Sequence, residues 1–357
     1  MTERISSTAS PPGGADTTFA YTTNTNSSNE ENELDYEGDE VCDKEYVAQV
    51  GSIAVPLFFS LVVLLSLVGN VLVLVILARY ESLKSLTNIF ILNLAVSDLI
   101  FTAGLPFWSF QFIWGWTFGK IMCNGVSFVF SAGFYSSTVF LMVMTLQRYL
   151  AVVHPLSDWE TGSSLAVLPI LAWVISIGAA LPALFQTSVV QDHDNHNISY
   201  CLYSSNNAII AATYQQNVFF VLAFSLIAFC YIRILQTVLN SRARKRHRTV
   251  RLIFCTVMVF FIGWAPYNIV IFLQTLKYYF IAAFTDCTVS DNLDYALYAC
   301  RLLAFSHCCF NPVFYVFVGV KFRNYLKVIL QLFRPQINTD PQQVRVSTVQ
   351  GSKGSMY

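Results

Sequence analysis

Polar and apolar positions separate along this chain into long blocks rather than short alternations. After a polar opening stretch, Val47 to Ala78 runs without a charged residue. Further apolar blocks lie near 87–111, broken only by Asp98, and near 121–147, 163–185, 209–232, 252–276 and 293–318. Each block reaches the ~20 residues that a helix needs to cross hydrocarbon. None shows the two-residue alternation of a barrel strand. Backbone polar groups in lipid must be satisfied inside their own segment. The pattern therefore predicts an all-α membrane protein, a seven-transmembrane helix bundle.

Composition agrees. The 357 residues are 55% hydrophobic and only 12% charged, about half the ~25% charge of a soluble domain. Net charge is zero, with 21 basic and 21 acidic residues, so no global basic excess suggests nucleic acid. The charges are nevertheless segregated. If the amino end is outside, only Arg4, Lys44, Lys120, Lys277 and Arg301 of the basic residues stay outside. The positive-inside rule then sets the amino end out and the carboxyl end in. No basic stretch followed by an apolar core opens the chain, so no cleavable signal peptide is expected.

The flanks divide the chain further. Residues 1–46 form an acidic tail, densest from Glu30 to Asp43 and disordered by composition. Residues 47–320 are the bundle. The run Ser241–Arg251 is strongly basic, as a lipid-touching stop signal or a partner-docking segment. Residues 321–333 place Phe322, Leu326, Ile329, Leu330 and Phe333 at helical spacing, which predicts a short amphipathic eighth helix on the cytoplasmic face. Residues 334–357 are a cytoplasmic tail with Thr339, Ser347, Thr348, Ser352 and Ser355 suited to phosphorylation.

Four cysteines, Cys42, Cys123, Cys201 and Cys287, fall on or near the outer face, enough for two disulfides in any of three pairings. Asn26 and Asn197 fit the glycosylation acceptor pattern. Polar residues inside spans are costly: Asp98, Asn70, Ser137 and Asn311 lie at comparable depths, which suggests a shared network, a structural hydrogen-bonded carboxylate or an ion or proton site. Pro106, Pro182, Pro266 and Pro312 allow kinks. No HExxH, GxSxG, P-loop or GxGxxG is present, so no enzyme is expected, and His307 reads as a packed polar residue.

GNVLV, LNLAVSDL, QRYLAVVHP, Trp173, GWAPYN and NPVFY occur in successive spans. This arrangement resembles a rhodopsin-like (class A) G-protein-coupled receptor over about 47–333. LPFW, WTFG, SHCCFNP and the acidic tail with tyrosine resemble chemokine receptors, and RHRTVRLIF and RLLAFSHCCFNPVFYVFVGVKFR look most like the XC (lymphotactin) branch. The resemblance implies the pairs Cys123–Cys201 and Cys42–Cys287. It implies an allosteric sodium site at Asp98, Ser137 and Asn311, with Asn70 nearby. Trp264 and Pro266 match a rotating switch, and Arg148, Tyr231 and Tyr315 match contacts that rearrange as a cavity opens for a G protein. Tyr149 and Pro312 belong to the same motifs.

The implied partners are a small basic chemokine, of XC type, outside and a heterotrimeric G protein of the Gi class inside, at the plasma membrane. Tyr36, between Asp35 and Glu37, suits sulfation and ligand capture. Trp108, Phe130, Tyr267 and Tyr298, with Asp294 and Arg301, are expected in the crevice that receives the ligand tip. The chain departs from the family pattern where Gln147 replaces the acid before the arginine, where Arg301 replaces a crevice glutamate, and where Gly104 and Ala223 replace a threonine and a proline. Gln147 leaves room for a scavenger that does not signal. A transporter is disfavoured, because repeated halves are absent and one intramembrane acid is too few for a relay.

Overall fold

The computed structural model describes residues 45–81, 83, 85–154, 164–191, 198–239, 247–279, 281, 284, 286–318 and 325. Six long helices follow one another: α1 (Glu45–Tyr80), α2 (Leu86–Trp114), α3 (Gly119–Val153), α4 (Ser164–Gln186), α5 (Asn206–Leu239) and α6 (His247–Thr275). Each is long and apolar enough to cross a membrane. The seventh crossing is divided. Helix α7 (Cys287–Phe305) ends at a turn at Ser306, and α8 (His307–Val318) continues from it. Asp291, Asp294 and Arg301 keep α7 from matching the apolarity of the other spans. The result is a seven-helix transmembrane bundle.

The ends of these helices have local causes. Gly115 closes α2 at φ 73°, donating its N–H to Gln111 O. A Cβ there would stand 2.9 Å from Ser199 O, so a glycine is required on both backbone and steric grounds. Asp286 caps α7, its carboxylate accepting from Val289 N at 3.1 Å. Pro106, Pro182, Pro266 and Pro312 all sit inside continuous helix, as do Pro56 and Pro169.

Helix α3 is the axial rod. Two thirds of its membrane window (67%) is buried, against 28% for peripheral α4. Leu57, Leu61, Val68, Val174 and Leu222 point outward from α1, α4 and α5, which suits a lipid surround. The described residues also include an antiparallel hairpin that the span pattern did not foretell. Strands β1 (Thr187–Gln191) and β2 (Ser199–Tyr203) pair with Val189 opposite Cys201. It marks one end of the bundle, and Arg148 marks the other.

Tyr36, Asp35, Glu37, Cys42, Asn26 and Asn197 lie outside the described residues. So does the helix expected at 321–333 apart from Tyr325, whose ring stacks on Tyr80 at 4.9 Å.

Candidate functional site

At the hairpin end, a cavity with about 480 Å3 of empty space, continuous with solvent, opens between α3, α4, α5, α6 and β2. Phe130, Tyr135, Tyr203, Gln216, Trp264 and Tyr267 are among its walls, and no charged side chain lines it. Gln215 is held in place, its amide donating to Tyr135 Oη at 3.1 Å and to Ala179 O at 2.6 Å. Gln216 Nε2 and Trp264 Nε1 are buried donors with no hydrogen-bond partner. Burial, with the Tyr135 and Tyr267 phenols alongside, pushes the Tyr203 hydroxyl above the ordinary tyrosine value, so it stays protonated and able to donate. An uncharged, donor-rich hole of this kind complements a group that brings acceptors.

The expected crevice aromatics divide. Phe130 and Tyr267 line this cavity. Trp108 does not, but meets Phe130 edge-on at 6.0 Å. Tyr298 faces the other way, against Phe112 at 6.0 Å and close to Gly51 of α1. Asp294 is buried and already engaged: Gln274 Nε2 donates to its Oδ1 at 2.9 Å, and Lys277 Nζ lies 3.7 Å away while also donating to Ser290 Oγ at 2.8 Å. Its carboxylate therefore links α6 to α7. Arg301 is half-buried on α7.

Cys123 of α3 and Cys201 of β2 form a disulfide. Gln111 Oε1 of α2 accepts from Cys201 N at 2.8 Å, and Trp116 N donates to Ser199 O at 2.5 Å. Cys287 is also disulfide-bonded; Cys42, its implied partner, lies outside the described residues.

Trp264 joins the cavity to the bundle interior. Its ring packs on Phe134 at 4.3 Å and on His307 at 5.3 Å. Beneath it lies Asp98, fully buried. Ser137 Oγ donates to Asp98 Oδ1 at 2.9 Å and Asn311 Nδ2 to Oδ2 at 2.6 Å. His307 Nε2 stands 4.0 Å from Oδ1, while Nδ1 meets Ala304 O at 2.8 Å. Asn70 reaches the cluster indirectly. Its amide donates to Ser66 Oγ at 3.1 Å and to Cys308 O at 2.9 Å; Ser66 Oγ meets Thr102 Oγ1 at 2.6 Å, and Thr102 Oγ1 donates to Asp98 O. The four polar residues expected to share a network are thus gathered. Sequence reasoning missed Ser66, Thr102 and the closeness of His307. Among the described residues no three His, Cys, Asp or Glu side chains gather as a metal site.

At the opposite end, Arg148 Nη2 donates to Thr87 Oγ1 of α2 at 2.5 Å. The Thr87 hydroxyl in turn donates to Gln147 Oε1 at 3.4 Å. Tyr149 Oη lies 3.2 Å from His154 Nε2, and the Tyr231 ring meets Phe254 of α6 edge-on at 5.2 Å. Pro312 closes against Gly69, where a Cβ would lie 2.9 Å from its ring. Tyr315 is placed in α8, with its side chain outside the described residues.

The sequence model described as "7 transmembrane receptor (rhodopsin family)" matches residues 69–315. Human Chemokine XC receptor 1 is 47% identical over 79% of this chain and 83% of its own length. The chain belongs to the chemokine receptors. The mouse Chemokine XC receptor 1 is 44% identical over 78% of the chain and 84% of its own, and human C-C chemokine receptor type 4 is 38% identical over 82% and 81%. A chemokine receptor is a multi-pass membrane receptor and not an enzyme, so the cavity, the Asp98 cluster and the contacts of Arg148 belong to a receptor fold.

Proposed function

We propose that this receptor sits in the plasma membrane with its amino end outside, binds a small basic chemokine of XC type, and activates a heterotrimeric Gi protein in a chemotactic response. One observation carries the reading: Trp264 is at once a wall of the ligand cavity and a neighbour of the His307–Asp98 cluster. Material pressed into the cavity meets the ring that leans on the polar interior. Coupling then needs only that the ligand bind the open arrangement more tightly than the closed one.

The acidic tail around Asp35, Tyr36 and Glu37, with Tyr36 sulfated, attracts the basic ligand. The ligand's tip enters an uncharged cavity whose Gln216 and Trp264 donors lack partners. Arg301, half-buried on α7 and outside the cavity lining, is the cation we assign to the ligand tip. A guanidinium favours a carboxylate or a backbone carbonyl over an ammonium, so the tip is read through its acceptors. The glycans belong on Asn26 and Asn197, and receptor kinases and arrestin act on the carboxyl tail.

The residues of the Asp98 cluster fit a hard monovalent cation. Asp98 and Ser137 supply oxygen, Asn311 orients the carboxylate, and Asn70 Oδ1 is a buried acceptor without a partner. Sodium held there would favour the resting bundle.

The test is a panel of purified chemokines applied to transfected cells, read by calcium and cyclic AMP. An XC-type ligand should respond, and Arg301→Ala should cut the response more than the binding. Exchange of sodium for choline chloride should change ligand affinity in the parent and not in Asp98→Asn. Silence to the whole panel, with ligand uptake intact, would favour the scavenger reading that Gln147 suggests.

A further inference from the structure

We infer that Thr87 helps hold Arg148 at rest in this receptor, as a neutral latch between α2 and α3 in the place of the missing carboxylate at 147. The inference rests on the proposed role of Arg148 in opening the G-protein cavity. A hydroxyl has one proton and two lone pairs. Thr87 uses both capacities, accepting from the guanidinium at 2.5 Å and donating to the Gln147 amide oxygen at 3.4 Å. Gln147 supplies an acceptor but no charge, so it cannot pair with Arg148 as an acid would. It steadies the Thr87 hydroxyl instead, which keeps a lone pair turned to the arginine.

The placement suits a hold. Thr87 lies in the first turn of α2, which starts at Leu86 after the extended Ser85. Leu86 and Phe90 on either side of it are buried, so the helix end is fixed. Asn93, lower on the same helix, accepts from Trp173 Nε1 of α4 at 2.9 Å, which ties α2 to the scaffold. The Thr87 contact therefore ties the arginine to α2, a helix itself fastened to α4. All three latch side chains are half-buried, where a hydrogen bond to a charged donor is stronger than one in open water.

The receptor in lipid nanodiscs, without ligand, tests this with two readouts. One is the separation of spin labels on the Arg148 ends of α2 and α6; the other is nucleotide exchange on added Gi. Thr87→Val removes the hydroxyl and keeps the shape. It should shift labels toward the open separation and raise basal exchange roughly three- to tenfold, the scale of one ordinary net hydrogen bond. Thr87→Ser, which returns the hydroxyl, should recover most of that loss. In a Gln147→Asp background the Thr87→Val effect should shrink below about twofold, because a carboxylate can then hold the arginine. Should Thr87→Val not fold, Thr87→Ala carries the same expectation. A parental label distribution in Thr87→Val, or equal behaviour of Val and Ser, overturns the inference. Labels that shift while exchange stays silent in every variant support the latch and count against Gi coupling.

Discussion

Gly133 is a point of very close approach between α2 and α3. A Cβ on it would stand 2.5 Å from Phe101 N and 2.7 Å from its Cα, a contact that backbone cannot relieve by rotation. Gly133→Ala must push the two helices apart, and overpacking costs about 1–3 kcal/mol. Thermal unfolding of the purified receptor should fall by several degrees; an unchanged midpoint would show that the helices separate freely. At this scale the sequence was readable where a side chain was conspicuous. Asp98, Asn70, Ser137 and Asn311 stand out as charge or amide in apolar runs, and the structure gathers them. Ser66, Thr102 and Thr87 do not stand out, because a helical hydroxyl can satisfy itself on the carbonyl four residues back. Which hydroxyls instead reach a neighbouring helix depends on rotation about the helix axis, which no single run of residues encodes.

The elements carry a second lesson. Six spans were plain from apolar length alone. The seventh, interrupted by Asp294 and Arg301, proved to be two helices meeting at Ser306, whose Oγ donates to Leu303 O at 2.7 Å. Asp294 was expected to face the ligand. The structure gives it a structural engagement, with Gln274 on α6 and Lys277 just beyond it. Asp294→Asn keeps the shape and loses the charge. Lys277 is 20% exposed, so the full worth of a charged hydrogen bond is discounted to ~1–2 kcal/mol. The variant should melt earlier while chemokine binding, measured below that temperature, changes less than twofold. A large loss of affinity with an unaltered melt would return Asp294 to the binding surface. The hairpin was invisible because TSVVQ and SYCLY are too short to separate from loop by pattern.

On the scale of the whole molecule, charge is the organising asymmetry. Acids crowd the amino tail, and basic residues crowd the loops and tail of the opposite face. Screening shortens the reach of such a field from ~8 Å at physiological salt to ~3 Å at 1 M. Chemokine association should therefore slow by an order of magnitude or more across that range, with dissociation changing less. Surface-capture kinetics at several salt concentrations would show it; a salt-independent association rate would remove the tail from ligand capture. This asymmetry and the bundle were legible in the sequence, since both depend on composition summed over long stretches.

The strands that border the cavity are pinned from three quarters: sulfur to α3, an amide oxygen from α2, and the backbone bond from Trp116 to Ser199. The rim on this side is thus held in one shape by three separate ties, so an arriving ligand meets a border already formed.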